Sequence, residues 1–422
     1  MEQNLANGFR SLYATRRESP HDIRARIRLC DQIDRSVFRN AVDQTMRRYP
    51  YFCVELQKRD EQYVFVENTR PVVIGDSLHG VELNSKESNY HMISFSCKDD
   101  WIIMDVFHGL TDANGAYEVI RTLMYYYCSK RYQAELKKDG IRLVGDEIPD
   151  EEWTDPTETV SGLPDSKPGE MSPALNLSAL PGLQNDQVQT VYNVVIPESE
   201  FMRFNVANDG SPGTLVSLFL SRAIAKLNPG IEAPIRIILC VNQRKALRAP
   251  LAHQSLVGFA ALEFKEQMRN WPIERQATSY RGMVILQTQD EAVLAGVNEA
   301  NEFTKMQLSK KTDQERLEMT AAFDNMTNQM MSAVVSYVGK TDFNGAETYI
   351  RDFRAWTTCP KKGILVEMSA INGKFFLDFI QPYSDPVYVN AFMKQLKENG
   401  ISCQLQDKMQ LELVNIRLPW SE

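Results

Sequence analysis

At 422 residues the chain is longer than one ordinary core can organise and suggests two domains of roughly 200 residues each. Hydrophobic residues at 43% and charged residues at 24% are those of a globular protein and argue against global disorder. The net charge of −8, from 47 Lys and Arg against 55 Asp and Glu, argues against non-specific nucleic-acid binding, which needs a basic footprint.

The first 50 residues carry ten Arg against six acids, but these Arg are dispersed and read as a solvated face rather than a phosphate clamp. No window holds the ~18 consecutive apolar residues of a membrane span, and Met1-Glu2-Gln3-Asn4 lacks the regions of a secretion signal. Seven scattered Cys, at 30, 53, 97, 128, 240, 359 and 403, contain no Cys-x-x-Cys pair and read as buried free thiols of a reducing compartment. The expectation is therefore a cytoplasmic monomer without metal.

In chain order, Asp34 can cap a helix whose apolar positions Val37, Phe38, Ala41, Val42, Thr45 and Met46 recur at helical spacing and stop before Pro50. Tyr63 to Val66 and Met92 to Cys97 are β-rich runs. Asp99-Asp100 turns into Trp101 to Phe107, whose scarcity of polar positions predicts a buried central strand. His108 ends that strand. The chain then turns through Asp112-Ala113-Asn114-Gly115 into a helix carrying Ala116, Val119, Ile120, Leu123, Met124 and Tyr127 on one face.

Residues 146 to 170 hold nine acids and a single Lys, and Pro recurs at 149, 156, 164, 168, 173 and 181. Segment 146–187 is expected to link subdomains 1–145 and 188–422, with an acidity that needs no partner to explain it. Beyond it, Val188 to Ile196 reads as a strand, Thr214 to Leu227 as a helix and Ile235 to Val241 as a buried strand. Thr312 to Val335 reads as a long helical region whose Met319, Met326, Met330 and Met331 are expected to be core or tunnel wall. Ile364 to Ser369 and Lys374 to Ile380 form a hairpin across Asn372-Gly373. A helix follows, capped by Ser384 or Asp385, with Pro386 in its first turn and Gly400 at its end. The fold class is α/β with mixed sheets in both halves.

Five His offer candidates for chemistry. His21, His79, His91 and His253 read as hydrogen-bonded structural residues. His108 stands apart because it ends an apolar strand and precedes a Gly-containing turn into a helix, where sites are built. A His followed four residues later by an Asp would occur by chance in roughly one such chain in four, so the pair alone is weak. No Walker motif or phosphate-cradling Gly-rich loop occurs, and His and Cys spacing offers no metal site.

His108-Gly109-Leu110-Thr111-Asp112 resembles the His-x-x-x-Asp motif of the CoA-dependent acyltransferase superfamily, which includes chloramphenicol acetyltransferase, alcohol acetyltransferases and peptide-synthetase condensation domains. Other segments agree in order and spacing. Ile33 to Val42 followed by Arg48-Tyr49-Pro50 resembles the first helix and its ending. Val241-Asn242-Gln243-Arg244 resembles the "vNxR" strand end, and Gly258-Phe259 the segment after it. Ser336-Tyr337-Val338-Gly339 resembles "SNxG", and Phe379 to Tyr383 the C-terminal strand. The matches span residues ~10 to ~415. Phe107 stands where condensation domains have a second His, and Ala113 where Gly usually follows the Asp, with Gly115 two residues on. The plant-branch Asp-Phe-Gly-Trp-Gly motif is missing.

The resemblance implies two chloramphenicol acetyltransferase-like subdomains forming a pseudo-dimer with a tunnel at their interface. It implies His108 as general base, acting without a covalent acyl-enzyme, and Asp112 as a structural acid paired with Arg244. Gly115 shapes the turn, and Ser336 or the backbone near Gly339 is a candidate for the oxyanion or tunnel wall. The acyl donor is expected to be acyl-CoA and the acceptor a small alcohol or amine. The alternatives are a condensation-type enzyme using a phosphopantetheine-linked donor on a carrier protein, or a degenerate member that binds a thioester or partner without turnover.

Overall fold

The computed structural model describes residues 2–4, 9–59, 62–162, 171–186, 188–360 and 363–420, so positions 163–170 and 187 of the expected linker lie outside the described residues. The first half contributes β1 (Glu2–Asn4), α1 (Phe9–Ala14), β2 (Asp22–Leu29), α2 (Arg35–Arg48), β3 (Val54–Arg59), β4 (Gln62–Glu67), β5 (Ile74–Gly75), β6 (Ile93–Lys98), β7 (Trp101–Phe107) and α3 (Ala113–Tyr132). Asp34 accepts from the Ser36 and Val37 amides and starts α2, whose buried face of Phe38, Ala41, Val42 and Met46 lies against α3 and the sheet. β7 is buried along nearly its whole length and sits between β2 and β6, as its apolar run predicts.

The second half contributes β8 (Thr190–Pro197), α4 (Glu198–Ala207), α5 (Pro212–Leu227), β9 (Ile235–Asn242), β10 (Val257–Phe264), α6 (Ile273–Gln287), α7 (Asp290–Leu308), α8 (Asp313–Gln329), β11 (Ala333–Tyr337), β12 (Ile350–Trp356), β13 (Ile364–Ile371), β14 (Lys374–Gln381), α9 (Val387–Glu398) and β15 (Gln404–Gln410). Among the described residues a mixed seven-stranded sheet runs β10-β9-β11-β13-β14-β8-β15, with α5 and α9 packed on one face. The β13–β14 hairpin turns through Asn372 and Gly373, both at positive φ (49° and 72°), as a tight primed turn requires. The Asp385 carboxylate accepts from the Val387 amide and starts α9.

Four expectations are corrected. The helix expected over Thr312 to Val335 ends at Gln329, and Ala333–Val335 instead opens β11, a strand set parallel between β9 and β13. There the β-branched pair Val334-Val335 gains ladder hydrogen bonds that a continued helix would forgo. The early Arg are not uniformly a solvated face, because Arg24 and Arg48 are buried in ion pairs with Asp105 and Glu152 at 2.6 and 2.7 Å. Only Cys97, Cys128 and Cys359 of the seven free thiols are buried, while Cys30 is exposed. Met326, expected as core or tunnel wall, is exposed.

The described part of the acidic segment is tied to both halves. The Glu152 carboxylate accepts from Arg48 and from the Tyr51 hydroxyl, and its carbonyl accepts from the His253 amide and Nδ1. Burial alone would raise the Glu152 carboxyl, but the Arg48 and Tyr51 hydrogen bonds outweigh it and hold the group below its usual range. Glu152 of the acidic segment thus has its partners inside the chain. Leu175 and Leu177 add the same segment to the second core.

One strand crosses between the halves. β12 pairs antiparallel with β2, giving the first-half sheet the order β12-β2-β7-β6-β5. β12 also packs on β13 and β14, where the Ser369 hydroxyl donates to the Phe353 carbonyl at 2.5 Å and Trp356 Nε1 donates to Asp378 at 2.5 Å. Helices thus cover the outer faces while the two sheets face each other across β12.

Candidate active site

The site begins at the end of β7. Side chains alternate along a strand, so Phe107 and His108 point to opposite faces. Phe107 is fully buried and meets Phe65 edge-on at 6.4 Å. The position where a tandem His was missed therefore points into the core, away from the half-buried His108. The His108 amide donates to the His21 carbonyl at 2.8 Å, and the Leu110 amide to the Phe107 carbonyl at 2.9 Å, which fixes the turn. Among the described residues the His108 imidazole makes no side-chain hydrogen bond, and it keeps accessible surface.

Asp112 is fully buried at the N-cap of α3, where a carboxylate is favoured by the unpaired amides and the helix dipole. Its Oδ1 accepts from the Gly115 amide at 3.1 Å and from Arg244 Nη2 at 2.9 Å. Its Oδ2 accepts from Arg244 Nη1 at 2.8 Å and from the Leu256 amide at 3.0 Å. Four bonds use the acceptor capacity of a carboxylate, leaving none for His108. Arg244, at the end of β9, also donates through Nε to the Ala252 carbonyl and through Nη2 to the Gln254 carbonyl, both at 2.9 Å. One guanidinium thus joins the turn of the first half to the 244–256 loop of the second.

Gly115 sits where that loop passes closest. A Cβ there would lie 2.2 Å from Thr111 Oγ1 and 2.5 Å from the His253 carbonyl oxygen. Thr111 Oγ1 itself donates to the His253 carbonyl at 2.7 Å. The His253 ring lies near Tyr51 and Phe52, at 4.7 and 5.0 Å between centroids, and burial pushes its pKa down to about 4. His253 is thus a structural wedge between the halves.

Ser336 lies elsewhere on the interface. It pairs in register with Glu367 of β13, and continuing the β9–β11 register brings it beside Cys240. Its side chain stands between those of Glu367 and Cys240 and favours the ionised form of each. The row faces away from α5 and α9, towards Tyr117 of α3, and each member keeps partial access. Burial pushes the Glu367 carboxyl up to about 8, with Asp378 adding to the effect. Gly339, at φ 111°, follows β11 in a conformation suited to glycine.

By sequence, no family model and no curated protein matches the chain. Solved structures do. Polyketide synthase associated protein 5 from Mycobacterium tuberculosis is 13% identical, with a TM-score of 0.59 covering 94% of this chain and 96% of that one. The condensation domain from Monacolin K polyketide synthase MokA is 10% identical, with a TM-score of 0.62 covering 94% and 97%. TRI101 of F. sporotrichioides, solved with coenzyme A and T-2, is 12% identical, with a TM-score of 0.58 covering 94% and 97%. The chain shares the fold of these structures. Within that fold, a pseudo-dimer of two α/β halves, His108, Asp112, Gly115 and Arg244 gather at one seam, whereas Ser336 and Gly339 belong to the second-half sheet and its end.

His21, read from the sequence as a structural residue, lies beside this turn. The β2–β7 register pairs Asp22 with Phe107, and one step further sets His21 opposite His108. His91 and His253 are indeed held by backbone carbonyls, at 2.8 and 2.6 Å, and exposed His79 lies 3.2 Å from Glu412. His21 instead has no side-chain hydrogen bond among the described residues. Only the alternation of Ile23, Ala25, Ile27 and Leu29 with Arg24, Arg26 and Arg28 could have signalled the strand that carries it.

Proposed function

We propose that the protein is an acyltransferase that moves an acyl group from acyl-CoA to the hydroxyl or amine of a small acceptor, with His108 as general base. The observation that carries this reading is a half-buried, unengaged imidazole on a turn that the Asp112–Arg244 pair fixes from behind. Asp112, with its acceptor sites filled, shapes the turn and leaves proton transfer to His108. An imidazole can take the proton of an attacking hydroxyl or amine, an effect worth a factor of ~10²–10⁴. The acceptor attacks the thioester directly, so no acyl-enzyme forms, and the imidazolium returns its proton to the departing thiolate. The coenzyme A bound by TRI101 supports a CoA donor.

The second reading keeps the chemistry but takes the acyl group from phosphopantetheine on a carrier protein, and the likeness to the MokA condensation domain favours it. Mass spectrometry after incubation with mixed acyl-CoAs and an acceptor panel, run beside an acyl-loaded carrier protein, separates the two. Transfer from CoA alone supports the first reading, and transfer from the carrier alone supports the second. No transfer from either would leave only a binding role.

A further inference from the structure

The acyl transfer proposed above passes through a tetrahedral adduct whose oxygen carries negative charge, and such charge needs a donor already in place. Ser336, the residue expected to serve, stands in the Glu367–Cys240 row of the second-half sheet. The end of β2 offers another group. His21 follows the β2–β7 register to stand opposite His108, and directly opposed residues of an antiparallel pair put their side chains on the same face. The His108 amide binds the His21 carbonyl at 2.8 Å, which locks the two backbones together. The His21 ring keeps some accessible surface although protein surrounds it, and no side-chain hydrogen bond among the described residues occupies it. The two imidazoles thus stand near each other at adjacent strand ends.

We propose that His21 is a second catalytic residue of this site, donating an imidazole N–H to the oxyanion formed when the acceptor adds to the thioester carbonyl. The proposal rests on the acyltransferase reading. In the first step the acceptor O–H or N–H gives its proton to His108 as the new bond to the carbonyl carbon forms. The carbonyl electron pair moves onto oxygen, which accepts the His21 N–H hydrogen bond. In the second step that pair re-forms C=O, the C–S bond breaks, and the thiolate takes the proton from His108. His21 keeps its own proton throughout.

The surroundings suit this division of labour. Burial, reinforced by His108, Arg10 and Arg16, pushes the His21 pKa down to about 3, so the ring stays neutral while His108 becomes charged. A neutral imidazole retains one N–H, and the same preference against a second positive charge keeps His21 from competing as base.

The test measures CoA release from acyl-CoAs of graded chain length with the acceptor panel, for wild type, His21→Phe, His21→Asn and His108→Ala. Removing one oxyanion donor typically lowers kcat ~10²–10³-fold, and that loss is expected for His21→Phe with KM and melting temperature held. His21→Asn, which keeps an N–H donor, should recover part of the loss and leave the acid limb of the pH profile in place. Wild-type kcat in His21→Phe, or an equal loss in both variants accompanied by lower melting temperatures, would overturn the proposal. A shifted acid limb would also overturn it, because His21 would then act through His108. A dead His108→Ala beside a fully active His21→Phe removes His21 alone. No transfer by wild type, or full turnover by His108→Ala, removes the acyltransferase reading and His21 with it.

Discussion

Arg244 grips Asp112 with two parallel hydrogen bonds of 2.8 and 2.9 Å, joining residues that stand on opposite halves of the molecule. The motif's acid is therefore committed to architecture, and its His has no side-chain hydrogen bond among the described residues. That separation makes the two residues experimentally distinguishable.

His108→Ala should abolish acyl transfer and leave the melting temperature unchanged. The ring is half-buried and bonded to nothing among the described side chains, so its loss exposes no unsatisfied partner. Turnover and thermal melting on one preparation check both halves of the expectation.

Asp112→Ala and Arg244→Ala should each destabilise the fold by ~3–5 kcal/mol, because either leaves a buried charge unpaired. Asp112→Ala also uncaps α3, adding ~0.5–2 kcal/mol. Urea unfolding gives the numbers, and combining Asp112→Ala with Arg244→Met should cost less than the two single losses summed. Wild-type melting in both single variants would show that the pair does not hold the seam.

Gly115→Ala should destabilise by ~1–3 kcal/mol, the usual cost of overpacking. The reason is collision and not backbone strain, since the new methyl would press on Thr111 and on the His253 carbonyl, which cannot rotate away. The same loss should persist in Gly115→Ala combined with Thr111→Ala, because the carbonyl remains. Thermal melts of the single and double variants decide it.

Glu367 should make stability fall as pH rises. Burial raises its carboxyl to about 8 in the fold, against an ordinary value near 4.5, so between those values the folded chain holds a proton that the unfolded chain has released. Stability from this group is present below the unfolded value and declines through the window. The groups facing it do not reverse the sign: the Cys240 thiol is pushed up to about 12, Tyr117 is raised by burial, and Asp378 adds negative charge. Glu367→Gln removes the ionisation, so its melting temperature should gain on wild type from pH 5 to pH 8.5. Parallel curves would contradict the assignment.

How much of this was legible in the sequence depended on whether the cause was local. The β7 run, the Asp34 cap and the Asn372-Gly373 turn are fixed by neighbours within a few residues, and each appears where its pattern predicts. Arg24 misled because whether an Arg on an alternating strand meets water or Asp105 depends on which strand lies beside it. His21 was invisible for the same reason, since its position opposite His108 exists only after β2 and β7 have paired. The overrun of α8 into β11 arose from a helix-favouring composition that continues to the end of the helix, while the parallel neighbours that impose a strand lie far off in sequence.

The crossing of β12 has a consequence for how this molecule breathes. Its strand partner β2 belongs to one half and its covalent neighbours to the other, so the halves cannot swing apart like the shells of a clam without unzipping a ladder. Under the acyltransferase reading, a substrate bound for His108 would enter without such a swing of the halves. Severing the chain within the acidic segment would likewise leave an amino-terminal fragment with a bare β2 edge and an Asp112 lacking its guanidinium. Such fragments should regain a working site only when mixed.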